Sequence, residues 1–130
     1  MATVTFRDET ATGKPLTEWR VTGLPDRMTV RALIRLRVRE EVARHNARPS
    51  DRYYGLVRPD DAVTAPHGYR LPGPRRLDWR RQADTAEQAF RTNAFFLLAG
   101  DRQAEELDET VDLTTTSDLV FIKLVALVGG

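Results

Sequence analysis

Apolar and polar positions change period several times along the chain, and each change marks an element. Val4 and Phe6 alternate with polar neighbours, the period-two pattern of a half-buried strand. Ala11-Thr12-Gly13-Lys14-Pro15 is turn chemistry, and Leu16, Trp19 and Val21 predict a second strand with a bulge, completing a hairpin. Gly23-Leu24-Pro25-Asp26 breaks that strand. A helix is predicted from about Val30 to Asn46, with Thr29 as its N-cap. Val30, Leu33, Ile34, Val38 and Val42 share one broad helical face, and Arg31, Arg35, Arg39 and Glu40 lie opposite. Residues 47–84 carry prolines at 49, 59, 66, 72 and 74, a density that opposes long helices and central strands. The segment is therefore expected to be an irregular insertion, with room for a short strand near Tyr53-Tyr54-Gly55-Leu56-Val57. Tyr53, Tyr54, Tyr69 and Trp79 imply that part of it packs.

Beyond it, Thr85-Ala86-Glu87-Gln88 fits a capping box and predicts a short helix to about Thr92. Phe95-Phe96-Leu97-Leu98-Ala99 reads as a buried strand stopped by Gly100-Asp101. Leu107, Val111 and Leu113 are spaced anchors in a polar connection, and Thr114 to Asp118 is a turn. A last strand starts at Leu119 and is apolar on both faces, as a central strand covered by a helix would be. Gly129-Gly130 follow it directly. Glycine forms about 7% of ordinary sequences, so two at the last two positions arise by chance in roughly 0.5% of chains. A terminal diglycine can thread a narrow channel, because it has no side chain and a wide choice of backbone angles.

At 130 residues, with 41% apolar and 30% charged positions, the chain is expected to be one domain, 1–130, containing the 47–84 insertion. It has no apolar run of membrane-spanning length and no signal pattern at Met1-Ala2-Thr3-Val4-Thr5-Phe6-Arg7, which places it by expectation in the cytoplasm. With no cysteine it offers no disulfide, thiolate nucleophile or cysteine metal site. The net charge of +1 is unevenly spread. Residues 1–50 hold ten Lys/Arg against six Asp/Glu, residues 51–91 eight against six, and residues 92–130 two against seven. A nucleic-acid binder is not expected from that balance.

His45 and His67 have no metal-site spacing, so no metal is expected. His45 near the helix end would complement the helix dipole. Asp60-Asp61 and Glu105-Glu106 read as solvated charge. Arg75, Arg76, Arg80 and Arg81 surround Trp79, an arrangement that suits a solvated or acidic-partner-facing patch better than single-stranded nucleic acid. No Ser/His/Asp set or phosphate loop stands out, so the chain is not expected to be an enzyme.

The order strand–turn–strand, helix, strand, polar connection, final strand, diglycine resembles ubiquitin and its relatives. Leu97-Leu98-Ala99-Gly100-Asp101-Arg102-Gln103 resembles the ubiquitin strand that ends in Ala-Gly and turns through a Lys-Gln pair. Leu107-Asp108-Glu109-Thr110-Val111 is similar to the segment after it, and the distance to the diglycine is nearly the same. Thr12-Gly13-Lys14 is similar to the Thr-Gly-Lys of the first ubiquitin hairpin, and Thr29-Val30 opens the helix similarly. The resemblance covers residues 3–46 and 85–130. It implies an α+β fold, a ubiquitin-like β-grasp in which a mixed sheet packs a helix, with a long irregular insertion between the helix and the third strand.

Functionally, the resemblance implies a bacterial-type protein modifier. A partner activating enzyme would adenylate the Gly130 carboxylate with ATP, and the acyl group would pass through an enzyme cysteine to target lysines. Gly129 would let the tail lie flat, and Val128 and Leu127 would be recognised as tail side chains. Leu97 and Leu98 are the implied partner-binding strand, with at least one of them in the core because neighbours on a strand face opposite ways. Lys14 is the candidate acceptor lysine. Implied partners are activating and conjugating enzymes, a deconjugating protease and target proteins; the chain itself needs no cofactor. The sequence departs from ubiquitin in its apolar Ala126-Leu127-Val128 and in lacking chain-linking lysines other than Lys14. Sulfur carriers of molybdopterin and thiamine synthesis share the fold and such an apolar tail. Two alternatives therefore stand beside conjugation: a thiocarboxylate carrier and a non-covalent interaction module.

Overall fold

The computed structural model describes residues 1–66 and 68–124. The chain forms two compact units: the first takes in Met1–Arg31 and the chain from Phe90 onward, the second Ala32–Ala89. The fold is a mixed α/β one with a mixed sheet and two helices.

In the first unit, β1 (Ala2–Thr10) and β2 (Pro15–Leu24) form the expected hairpin, with register shifts between Ala2 and Val4 and between Asp8 and Glu9. Gly13 closes its turn at φ 85°, a backbone conformation that costs glycine little. β7 (Phe95–Ala99), β8 (Arg102–Gln103) and β10 (Asp118–Lys123) complete a five-stranded sheet in the order β2-β1-β10-β7-β8. β10 is central: it runs parallel to β1, with Phe6 opposite Leu119, and antiparallel to β7, with Phe121 opposite Leu97. Val4, Phe6, Leu97, Leu119 and Phe121 are buried on one face. An aromatic row runs through this layer, Phe90–Phe95–Phe121–Phe6–Trp19, with successive ring centroids 5.5–6.1 Å apart. Such spacing suits tilted rings and adds to the apolar area that each removes from water.

The helix α1 (Val30–Ala47) begins directly after Thr29, where the sequence places it, and two of its first amides are met by a distant segment. β3 (Arg27–Thr29) pairs with β9 (Thr110–Asp112), which brings the connection before β9 beside the helix start. There the Val30 and Arg31 amides donate to the carbonyls of Glu109 and Leu107, both at 2.9 Å. Four unpaired amides open every helix, and here a neighbouring segment takes two of them.

In the second unit, 47–84 is more ordered than its prolines suggest. β4 (Arg52–Tyr53), β5 (Val63–Ala65) and β6 (Gly68–Arg70) form a small sheet in the order β4-β6-β5. Strands this short leave room for proline between them, which is why proline density misleads there. The second helix also needs correction. α2 (Trp79–Arg91) starts six residues before the expected cap. Asp78 caps it: its carboxylate accepts from the Arg80 amide at 3.0 Å, and its carbonyl accepts the first helical bond, from Gln82, at 3.0 Å. Thr85-Ala86-Glu87-Gln88 therefore lies inside the helix. Gln82, Ala83, Ala86 and Phe90 are the buried side of α2, a stripe of helical period.

Candidate functional site

The strand that leads to the diglycine sits at the centre of the five-stranded sheet. Its last register positions pair Lys123 with Thr10 on β1 and with Phe95 on β7. Leu124 is exposed. The tail readings on Leu127, Val128, Gly129 and Gly130 fall on residues outside those described, as does His67.

The two implied surface leucines part company. Leu97 is fully buried opposite Phe121, so it belongs to the core. Leu98, opposite Val120, faces the other side, where Phe96 and Ile122 form the next cross-strand pair. All four of these side chains are half-buried, giving an apolar patch on that face. Beside it Arg7 lies 3.4 Å from Glu18 and 3.6 Å from Asp118. Leu97→Ala is expected to cost about 2–5 kcal/mol by leaving a core cavity. Leu98→Ala should cost about 1 kcal/mol or less. Urea unfolding of both variants checks the difference.

Lys14 is exposed on the β1–β2 turn, which is tied at both ends. The Thr10 amide donates to the Lys14 carbonyl at 2.9 Å, and the Lys14 amide donates to the Thr10 hydroxyl at 3.0 Å. The turn thus fixes the backbone and leaves the amine in water.

The second unit contains a buried polar group that the sequence did not disclose. Arg37 and Glu41 lie one turn apart on α1, and their side chains are only 1% and 6% exposed. The Arg37 Nε donates to Glu41 Oε1. Glu41 Oε2 accepts from the Leu56 amide at 2.9 Å and from the Tyr53 hydroxyl at 3.3 Å. One carboxylate thereby ties a helix to the loop that follows β4. A Cβ on Gly55 would lie 2.2 Å from the Tyr53 ring, so this loop passes the ring at a distance that only glycine permits. His45 closes the other side of Tyr53, with its ring edge-on at 5.4 Å and its Nε2 2.7 Å from the Arg75 carbonyl. An (i, i+4) Arg–Glu pair is usually a surface feature, and only the packing around it reveals that this one is internal.

Burial raises the Tyr53 pKa above its ordinary 10.0, and the Glu41 carboxylate raises it further. A phenol whose folded pKa is raised stabilises the protein fully below its unfolded pKa, and that contribution is lost as pH climbs past about 10 toward the folded value. The melting temperature should therefore fall steeply above pH 10, and less steeply in Tyr53→Phe. Calorimetry across that range reads both slopes.

Trp79, half-buried at the start of α2, has three guanidinium groups over its ring: Arg80 at 5.0 Å, Arg39 at 5.5 Å and Arg35 at 5.7 Å. Arg35 also meets Asp84 at 3.0 Å and Glu87 at 2.5 Å. Of the four arginines near Trp79 in sequence, only Arg80 is in this group. Arg81 pairs with the Asp60 carboxylate at 2.5 Å, and Arg75 donates to the Asp60 carbonyl. The arginines from α1 are invisible to a local reading of the Trp79 segment. Cations stacked on an indole gain about 0.5–1 kcal/mol each at exposed sites, so the arrangement orders the start of α2.

Among the described residues no group of three or more His, Cys, Asp or Glu could hold a metal ion, and no helix is long and apolar enough to cross a membrane. No family model, curated protein or solved structure matches the chain.

Proposed function

We propose that the chain is a ubiquitin-like β-grasp protein modifier whose Gly130 carboxylate, encoded as the terminus or exposed by proteolysis, is its working group. One observation carries this: the strand leading to the diglycine is inserted between β1 and β7 at the centre of the sheet, parallel to the first strand. That order, β2-β1-β10-β7-β8, supports a β-grasp, since a first hairpin and a last strand placed beside it are what the fold is built on. A central strand is held on both edges, so the fold can tolerate handling of the chain beyond it.

A carboxylate does not acylate amines at neutral pH. A partner enzyme would join it to the adenylyl group of ATP, releasing pyrophosphate. An enzyme thiolate would then displace AMP to give a thioester. A target lysine amine would displace the thiol to give an isopeptide. This chain supplies the carboxylate, Gly129 as a narrow approach, Leu127 and Val128 as tail contacts, and the Leu98 face as a docking surface for the activating and conjugating enzymes. Lys14 is the acceptor if the modifier forms chains. The apolar Ala126-Leu127-Val128 favours the sulfur-carrier alternative, in which the same activated carboxyl receives sulfur.

The test is mass spectrometry of N-terminally tagged protein, purified under denaturing conditions from cells that carry its native neighbouring genes. No Lys or Arg follows Lys123, so trypsin would leave Leu124-Val125-Ala126-Leu127-Val128-Gly129-Gly130 on a modified lysine. That remnant on other proteins establishes a modifier. Sulfur in place of one oxygen of Gly130 establishes a carrier, and an unaltered carboxylate throughout leaves a non-covalent module.

A further inference from the structure

The five-stranded sheet has two edges of very different kind. β8 is two residues long, whereas β2 offers ten residues along the opposite edge. A long open edge is a template for another strand, and its side chains decide which strand fits.

The groups that face out from β2 follow from the pairing of β1. The Thr5 amide donates to the Ser117 carbonyl at 2.8 Å, on the β10 side, and the Thr10 amide donates to Lys14 on the hairpin side. Successive residues of a strand present their backbone groups to opposite edges. Val4, Phe6 and Asp8 therefore turn theirs toward β2, where they meet Val21, Trp19 and Thr17. The residues between, Glu18 and Arg20, direct their own N–H and C=O outward. Both side chains are exposed. Glu18 ends an alternating row of charge across the sheet, Asp118–Arg7–Glu18. Arg20 makes no ion pair among the described residues.

We infer that β2 pairs antiparallel with β2 of a second copy, centred on Trp19, so that Glu18 of each chain lies opposite Arg20 of the other. Charge selects the register. A two-fold axis at Glu18 sets Glu18 against itself, and one at Arg20 sets Arg20 against itself. Like charges directly opposite each other are unfavourable, and opposite charges are favourable. Only the axis at Trp19 joins the outward backbone groups of Glu18 and Arg20 while alternating the signs. It extends the row to Asp118–Arg7–Glu18–Arg20 across the junction, twice by symmetry. It also apposes the two Trp19 rings, each half-buried against its own Phe6, so that further indole surface leaves water. The two five-stranded sheets become one, and the same charges repel strands that pair in other registers.

Sedimentation equilibrium of the full chain, from micromolar to near-millimolar, tests this with a charge swap. The wild type should dimerise. Glu18→Arg and Arg20→Glu should each weaken the dimer roughly tenfold or more, because two cross-strand pairs turn from attraction to repulsion. The E18R/R20E double variant should recover it. Circular dichroism confirms that each variant folds; the loss of the Arg7 contact at position 18 is common to Glu18→Arg and the double variant, and Arg20→Glu keeps that contact. Amide exchange at Glu18 and Arg20 should slow as the wild-type concentration rises. A wild type that stays monomeric overturns the inference and leaves the edge to an extended segment of another protein. A dimer indifferent to both single reversals, or one that the double variant does not recover, overturns it too.

Discussion

Replacing Glu41 by leucine is expected to destabilise the second unit by about 3–5 kcal/mol, the usual result of removing one partner from a buried ion pair. The Arg37 side chain is 1% exposed, so its charge would stay in the interior without its carboxylate. The Leu56 amide and the Tyr53 hydroxyl would lose their acceptor at the same time. Each buried donor left unmet adds a desolvation cost of about 1–3 kcal/mol. Domains of this size have only about 5–15 kcal/mol in hand, so the variant should be largely unfolded at modest urea concentrations. The double variant Arg37→Met/Glu41→Leu separates charge from packing. With both ions gone, most of the loss should return, because a buried pair and an apolar pair of similar volume are often close in stability. Urea titration of the two variants, followed by circular dichroism, measures both. A Glu41→Leu protein as stable as the wild type would show that the pair is reached by water.

Deleting Gly129-Gly130 is expected to abolish conjugation while leaving the melting temperature within about 1 °C of the wild type. The register of β10 with β1 and β7 stops at Lys123, opposite Thr10 and Phe95, six residues before Gly129. The fold should not register the loss, whereas the proposed chemistry loses the atom that reacts. Gly129→Val is a finer version. It keeps a terminal carboxylate but adds a branched side chain beside it, and a narrow channel should refuse it. Conjugates of tagged protein in denatured lysates report the first effect, and thermal melts report the second. A deletion variant that still appears on other proteins would end the proposal; one that keeps its partners without conjugates points to the interaction module.

How far the sequence could be read depended on whether the deciding contact was local. β1, β2 and α1 were legible because each is long enough to show its period and is bounded by Gly, Pro or a polar turn, and β7 because its unbroken apolar run is stopped by Gly100-Asp101. The start of α2 was missed because two capping signals compete. Asp78 caps the helix through the Arg80 amide, yet Thr85-Ala86-Glu87-Gln88 is the more familiar pattern, and nothing local says that it falls mid-helix. The short strands of 47–84 escaped because two or three residues cannot display a period, and their pairing, Tyr53 with Tyr69, spans two prolines, Pro59 and Pro66. Leu97 and Leu98 were known to face opposite ways, but which one faced inward awaited the register with Phe121 and Val120.

By itself the sequence determined the hairpin, the first helix, the strand Phe95–Ala99, the final strand and the acidic connection between those two, since side-chain period, turn residues and charge are properties of neighbours along the chain. It also drew attention to Gly129-Gly130. Only the tertiary structure decided that β10 lies between β1 and β7, that Glu41 and Arg37 are internal, that Glu109 and Leu107 cap α1, and that Arg35 and Arg39 join Arg80 over Trp79. Each of those depends on residues brought together from distant parts of the chain or on burial created by packing. The free energy of such contacts exists only once the chain has folded, and no local pattern carries it.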